Sequence, residues 1–149
     1  MRDDEWQSII DANLNGVFFC SRAVAPHMMN KRYGKVINIG SNNSIQAFPM
    51  VAAYNASKAA VNMMTRVLAL EWAPYNICVN AIGPGSYHTS MTGMSWTDPE
   101  ERKKKLDAIP LGREGDMRDI GILATYLASP ASDYMTGQVI YIDGGQTAK

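Results

Sequence analysis

Three short runs of mainly aliphatic residues, separated by longer helical segments, constrain the fold of this chain more than any other feature of its sequence. The runs cover residues 35–40, 77–82 and 139–142. Strands that alternate with helices form right-handed βαβ units and pair in parallel within one sheet. The sequence therefore predicts an α/β fold with a parallel sheet in which three strands are visible.

The segments between these strands have the periodicity of helices. Apolar residues recur at helical spacing over residues 6–28, although Pro26 is expected to disturb the last turns of this helix. A second long helix is predicted over residues 54–73, and its apolar residues lie around much of its circumference, so we expect burial on more than one side. Shorter helices are predicted over residues 99–108 and 117–128.

The number of strands limits how much of a larger fold the chain contains. A doubly wound dinucleotide-binding domain has six strands around a switch point, whereas 149 residues with three strand-like runs suit half of such a sheet. We therefore predict one α/β domain, residues 1–149, that forms half of a Rossmann-type doubly wound parallel sheet. In this prediction the chain lacks the N-terminal half of the fold and therefore does not form a complete dinucleotide-binding domain.

Composition excludes several classes of partner. Lys+Arg and Asp+Glu are both 14, so the chain lacks the basic excess that a nucleic-acid partner normally requires. Its apolar stretches are too short for a membrane span, and its first residues do not form a signal peptide. His27, His88 and the two cysteines have no partner at metal-ligand spacing. We expect a cytoplasmic protein without a metal, membrane or nucleic-acid site.

Five short motifs follow one another in a fixed order. Tyr54 and Lys58 are separated by three residues, and Ser41 precedes Tyr54 by thirteen residues at the end of the first predicted strand. Asn13 lies within the first helix. Pro84-Gly85 and Thr89 follow the second strand, and the segments 136–138 and 143–145 flank the third.

Together these motifs resemble the C-terminal half of short-chain dehydrogenase/reductases, and gluconate dehydrogenases and 3-oxoacyl-carrier-protein reductases most of all. The resemblance extends over essentially all 149 residues. It implies an NAD- or NADP-dependent oxidoreductase that interconverts ketones and secondary alcohols, with a small carbonyl or alcohol substrate. The catalytic residues it implies are Tyr54, Lys58, Ser41 and Asn13, and the cofactor-binding residues are Tyr54, Lys58, Pro84, Gly85 and Thr89.

The chemistry of these residue types agrees with the implied roles. A free tyrosine has a pKa of about 10, so its phenol is a slow proton relay at neutral pH. Lys58 lies one helical turn after Tyr54, so its ammonium would stabilise the phenolate. Ser41 would donate to a substrate carbonyl at the carboxyl end of a parallel strand, where ligands of open α/β sheets bind. By resemblance, Lys58 also holds the nicotinamide ribose and Asn13 holds a water of the proton relay.

Each residue taken alone has a more ordinary interpretation. Tyr54 and Lys58 would be surface residues of a helix, Ser41 a turn or cap residue, and Asn13 a helix residue without a role. Likewise, residues 91–96, with Met91, Met94 and Trp96, would form either a lid over an apolar substrate or the core of a small cap. The joint spacing of the five motifs favours the catalytic interpretation.

The glycine-rich turn that binds the pyrophosphate in this family has no counterpart in the chain. We therefore expect the chain alone to bind NAD or NADP weakly or not at all. The alternative function is a catalytically silent, truncated relative that acts as an oligomerising α/β module. In either case we expect a homo-oligomer, formed through helices near residues 5–29 and 54–73 or through the free edge strand 35–40.

Overall fold

The computed structural model of the protein describes residues 1–90 and 92–148, with Met94 and Ser95 described by their backbone alone. Its α-helices are α1 (Asp3–Ile10), α2 (Gly16–Lys31), α3 (Ala52–Trp72), α4 (Gly93–Thr97), α5 (Pro99–Asp107) and α6 (Met117–Ala128). Its strands are β1 (Gly34–Ile39), β2 (Ile77–Pro84) and β3 (Val139–Ile142). Short 3-10 turns cover Asn42–Ser44, Ala73–Tyr75, Pro130–Ser132 and Gln146–Ala148.

The strands form one parallel sheet in the order β1-β2-β3. Gly34–Ile39 pair in register with 77–82, and residues 81–84 of β2 pair with β3. Seven of the eight residues of β2 are buried, as expected for the central strand of a parallel sheet. The predicted parallel α/β sheet is confirmed, and within the described residues it has the three predicted strands.

The first predicted helix is divided by a π-helical turn, Asp11–Asn15, between α1 and α2. Such turns widen the backbone by one residue and are frequent at functional sites. Pro26 lies inside α2, yet the helix continues to Lys31, where Arg32 ends it in the left-handed conformation with φ 49°. The helical prediction was therefore correct in extent, whereas the π-helical turn has no periodicity signal of its own.

The core lies between the sheet and helices α2 and α3. Ala25 of α2 and Ala69 of α3 are small, and together with the buried Trp72 they pack on Ile77 and Val79 of β2. The small alanine side chains let both helices lie close to the strand, and Trp72 fills the remaining volume. Because α3 contacts both β1 and β2, its packing fixes its position over these two strands.

A buried asparagine joins β2 to the segment that precedes β3. Asn80 is 1% exposed, and its Nδ2 donates to the carbonyl oxygen of Met135 over 2.7 Å. Its Oδ1 accepts from the backbone N–H of Gln138 over 3.0 Å. Both ends of the amide are therefore satisfied, and they set how β3 enters the sheet.

The segment between β2 and α5 contains one helix that the sequence did not predict, α4. Trp96 of α4 is 4% exposed, and its Nε1 donates to the carbonyl oxygen of Tyr87 over 3.1 Å. This contact places Trp96 in the core of a small cap rather than at an open substrate surface. Met91, and the side chain of Met94, lie outside the described residues.

Across the described part of the chain, no helix combines the length and the apolar composition that crossing a bilayer requires.

Replacing Asn80 by alanine should lower the free energy of unfolding by about 1–3 kcal/mol, since it leaves two partly buried backbone groups without their side-chain partner. Urea denaturation monitored by circular dichroism measures this difference. Asn30→Ala, at an exposed position of α2, is the matched control and should change stability by less than about 0.5 kcal/mol. Equal effects of the two substitutions would contradict the role given to Asn80.

Candidate active site

The carboxyl ends of β1 and β2 meet at one edge of the sheet. The N–H of Gly40, directly after β1, donates to the carbonyl oxygen of Ile82 over 2.8 Å. Ser41 therefore leaves the sheet beside the Pro84-Gly85 turn, at the edge where parallel α/β sheets bind ligands. Two of the predicted motifs, distant in sequence, lie next to each other here.

Ser41 begins a tight polar loop, residues 41–46, which we call the Ser41 loop. Ser41 is 6% exposed, its backbone is extended, and its Oγ accepts from the N–H of Asn43 over 3.1 Å as a cap of the turn Asn42–Ser44. The hydroxyl also lies 3.4 Å from the Oδ1 of Asn42, to which it donates. Ser41 is therefore a cap residue, as its ordinary interpretation predicts, and the capping contact fixes where its oxygen lies.

The Ser41 loop is tied to both α3 and β3. The hydroxyl of Ser44 donates to the carbonyl oxygen of Ser41 over 2.5 Å. Asn62 of α3 donates from its Nδ2 to Ser44 Oγ over 2.6 Å and to the Tyr141 hydroxyl of β3 over 3.0 Å. These contacts hold the loop in one position relative to the helix that carries Tyr54.

Tyr54 and Lys58 lie one turn apart in the first half of α3, and both are half-buried. The Nζ of Lys58 donates to the carbonyl oxygen of Ile39 over 2.9 Å, which places it at the end of β1. It also lies 5.7 Å from the centre of the Tyr54 ring. Burial lowers the pKa of the Lys58 ammonium below the ordinary lysine value of 10.5.

Asn13 reaches the Tyr54 turn through one intermediate residue. Its Nδ2 donates to the hydroxyl of Ser57 over 3.1 Å, and Ser57 Oγ donates to the carbonyl oxygen of Tyr54 over 2.8 Å. Asn13 lies in the π-helical turn, Asp11–Asn15. The structure therefore brings Asn13, Ser41, Tyr54 and Lys58 to one region. Within the described residues, no hydrogen bond joins the Ser41 and Tyr54 hydroxyls directly.

The Pro84-Gly85 turn is packed tightly against residues after β3. A Cβ on Gly85 would lie 2.6 Å from the Cα of Asp143 and 2.6 Å from the Oε1 of Gln146. The N–H of Gly85 donates to the carbonyl oxygen of Ile142 over 3.1 Å. Glycine is required at this position because no side chain fits between the turn and the 143–146 segment.

Thr89 lies further along the same loop and is bonded within it. Its hydroxyl and that of Thr92 are 3.1 Å apart, and its N–H donates to Thr92 Oγ1 over 2.9 Å. Thr92 Oγ1 donates in turn to the carbonyl oxygen of Tyr87 over 2.8 Å. These contacts brace Thr89 inside its own segment and do not join it to the four residues around Tyr54.

Among the residues that the structure describes, concave surfaces lie on either side of the sheet. A groove of about 650 Å³ runs along the free edge of β1, and its lining includes Asn13, Ile39 and Lys58. The other cavity, about 560 Å³, lies between α6 and β3 and contains none of the four predicted catalytic residues. We regard the groove as the more relevant of the two because its lining includes two of the four predicted catalytic residues, Asn13 and Lys58, whereas Ser41 and Tyr54 lie outside it.

The donor set fits one end of a nicotinamide dinucleotide. The Lys58 ammonium has three N–H donors and uses one on Ile39, and the Tyr54 hydroxyl makes no hydrogen bond to the described residues. Both suit the hydroxyls of a ribose. A glycine-rich turn for the pyrophosphate has no counterpart in the sequence. Among the described residues, no group of three His, Cys, Asp or Glu side chains could hold a metal.

Two residues of this region were not singled out from the sequence. Ser57 was passed over inside the Tyr54–Lys58 motif, although a serine facing a helix interior often bonds a carbonyl of the preceding turn. Gln146 follows the 143–145 segment directly and is 7% exposed, which is unusual for a glutamine. Its partners are about 60 and 104 residues away, so no local pattern reveals them.

Comparison with known proteins places this geometry in a family context. The family model described as enoyl-(acyl carrier protein) reductase matches residues 1–147. The chain is 43% identical over 145 residues to 3beta-hydroxysteroid dehydrogenase 1 of Eggerthella lenta, covering 97% of this chain and 56% of that protein. It is 42% identical over 143 residues to 2-dehydro-3-deoxy-D-gluconate 5-dehydrogenase of Bacillus subtilis, covering 96% and 56%.

A solved structure has the same fold along the whole chain. The gluconate 5-dehydrogenase of Burkholderia cenocepacia, solved in complex with NADP and tartrate, superimposes with a TM-score of 0.97 at 37% identity. The match covers 100% of this chain and 58% of that one. The chain thus spans a little over half the length of the relatives it matches.

The Lys58 ammonium should titrate below 10.5, the ordinary lysine value. Because the folded state holds this proton less tightly than the unfolded chain, stability should rise with pH between the folded pKa and 10.5. NMR of ¹³Cε-labelled lysines measures the titration, and Lys58→Gln assigns the resonance by removing it. A Lys58 resonance that titrates at or above 10.5 would contradict the expectation.

Proposed function

Because the chain belongs to the short-chain dehydrogenase/reductase family, we propose that it provides the catalytic half of a cytoplasmic NAD(P)-dependent oxidoreductase. Residues 1–149 form a single α/β domain in this proposal. The reaction interconverts a ketone and a secondary alcohol of a small molecule. Tyr54, Lys58, Ser41 and Asn13 carry the proton transfer.

One observation supports this proposal most directly: the Lys58 ammonium lies between the Tyr54 ring and the end of β1. The ordinary interpretation of Lys58 is a solvated lysine on a helix surface, but the residue is half-buried and its Nζ is bonded to the carbonyl oxygen of Ile39. A charge held there stabilises negative charge on the Tyr54 oxygen as a proton leaves it. A lysine with no such task would be expected to extend into solvent.

In the direction of reduction, the Tyr54 hydroxyl donates its proton to the substrate oxygen. The Ser41 hydroxyl, once it turns away from Asn42 Oδ1, donates a hydrogen bond to the same oxygen and stabilises the charge that develops there. The nicotinamide, when bound, supplies the hydride. Asn13 and Ser57 hold the backbone of the Tyr54 turn, and we propose that Asn13 keeps a water in the relay that restores the Tyr54 proton.

The cofactor is NAD or NADP, and the residues that would contact it are Tyr54, Lys58, Pro84, Gly85 and Thr89. Tyr54 and Lys58 suit the ribose, and the Pro84-Gly85 turn presents backbone groups to the nicotinamide amide. The proposal for Thr89 requires its hydroxyl to leave Thr92, to which it is bonded. Since the chain has no glycine-rich turn, the isolated chain should bind the whole dinucleotide weakly.

Replacing Tyr54 by phenylalanine removes the proton donor and should lower kcat by about 10²-fold or more. The measurement is ketone reduction followed by NADH and NADPH absorbance over a panel that includes keto-sugar acids. The matched control is Tyr134→Phe, which makes the same change at a fully exposed tyrosine. Its turnover should equal that of the unmodified chain.

Two results would overturn the proposal for this chain. Turnover that persists in Tyr54→Phe would show that Tyr54 is not the proton donor. Absence of saturable cofactor binding up to millimolar concentration, followed by quenching of Trp6, Trp72 and Trp96, would leave the silent, oligomerising module as the function.

We also propose that copies of the chain associate through α2 and α3. Several large apolar side chains of these helices are exposed. They are Phe18, Phe19, Met63, Val67 and Leu70, with exposed fractions of 44%, 52%, 57%, 44% and 78%. An apolar area of this kind on neighbouring helices is typical of a surface covered by a protein partner. The free edge of β1 is the other candidate surface.

An aspartate at Leu70 should shift the chain toward the monomer, because it places a charge in the proposed apolar contact. Light scattering at micromolar concentration measures the change. Tyr134→Asp introduces the same charge at an exposed aromatic residue outside both helices and should leave the mass unchanged. A chain that is already monomeric before substitution would contradict the proposal.

A further inference from the structure

We infer that Gln146 is a positioning residue that sets the separation between the Ser41 loop and the Pro84-Gly85 turn. The inference rests on the proposed function, because that function gives the two segments their roles. Gln146 begins the 3-10 turn Gln146–Ala148 and is 7% exposed.

The side-chain oxygen of Gln146 accepts two hydrogen bonds from the two segments. The Nδ2 of Asn42, next to Ser41, donates to Oε1 over 3.3 Å. The N–H of Ser86, next to Gly85, donates to the same oxygen over 3.1 Å. Because a backbone N–H can only donate, the contact with Ser86 requires the oxygen of the amide to face it. One atom therefore bridges the residue after Ser41 and the residue after Gly85.

The tightness of the Gly85 turn supports this bridge. A Cβ on Gly85 would lie 2.6 Å from Gln146 Oε1, so the turn already lies directly against the amide. The backbone oxygen of Gln146 accepts a further bond from Nε2 of Gln46, the last residue of the Ser41 loop. The loop is thus bonded to both the side chain and the main chain of one residue.

The segment before Gln146 explains why the amide is held in place. Asp143 accepts through Oδ1 from the N–H of Gly145 over 2.9 Å and through Oδ2 from the N–H of Thr147 over 2.8 Å. Gly144 and Gly145 have φ values of +65° and +90°, which glycine adopts readily. The hydrogen bonds of the Asp143 carboxylate therefore fix the backbone on either side of Gln146, and this holds the Gln146 side chain against the two segments.

The consequence for catalysis is geometric. In the proposed function Ser41 would donate to the substrate oxygen, and the Pro84-Gly85 turn would hold the nicotinamide, whose chemistry is hydride transfer. Misplacing reacting groups by about 1 Å can cost about 10²-fold in rate. A residue bonded to both segments controls this distance without touching the substrate.

Gln146→Met removes the acceptor at similar size, and Gln146→Glu keeps it. In the chain without cofactor, Gln146→Met should speed hydrogen exchange at the Ser86 amide at least about tenfold. The amides of β2, such as Val79, should exchange as before, and Gln146→Glu should leave Ser86 close to its original rate. The control is Gln138→Met, the same change at an exposed glutamine. Unchanged exchange at Ser86 in Gln146→Met would overturn the bridge.

In turnover assays Gln146→Met should lower kcat about tenfold and change KM little, with recovery in Gln146→Glu. Asn42→Ala cuts the same bridge from the Ser41 side and also removes the acceptor of the Ser41 hydroxyl, so the kcat loss of the double variant should be smaller than the combined losses of the two single variants. Additive losses, or a loss confined to KM, would overturn the positioning role. If the unmodified chain shows no turnover, the proposed function fails, while exchange at Ser86 still decides whether the bridge exists.

Discussion

The parallel pairing of β1 with β2 is the constraint on which the rest of the site depends. It brings two strand ends to one edge, and the bond from the Gly40 N–H to the Ile82 carbonyl continues the pairing past the last residue of β1. This register places Ser41 next to the Pro84-Gly85 turn. A slip of the pairing would reverse the faces of the strand and separate the two segments.

Helix α3 supplies the second half of the arrangement, and its position follows from packing. Ala69 and Trp72, near its end, lie on β2, while Lys58 near its beginning reaches the end of β1. The apolar contacts thus set the distance of the helix from the sheet, and this distance brings Lys58 within hydrogen-bond reach of Ile39. The π-helical turn then adds Asn13, through Ser57, to the same region.

The sequence predicted the parts of the structure that depend on local pattern. Aliphatic runs gave the three strands, and apolar periodicity gave the long helices, because both follow directly from which face each element buries. It did not reveal α4, whose five residues are too few for periodicity, or the contacts of Gln146, whose partners are remote in sequence. The family resemblance indicated Tyr54 together with Asn13, Ser41 and Lys58. The hydrogen bonds that some of them make to Ser57 and Ile39 could be seen only in the structure.

The bond between Gln46 and Gln146 has a consequence for the order of events during synthesis. The two residues are separated by 100 positions, so the Ser41 loop leaves the ribosome long before the 143–146 segment that binds it has been synthesised. At cellular elongation rates that interval is roughly 5–20 s. Strands β1 and β2 and helix α3 can assemble within it, but the loop beside them has to wait. The reactive region of this chain is therefore expected to be among the last parts to become ordered.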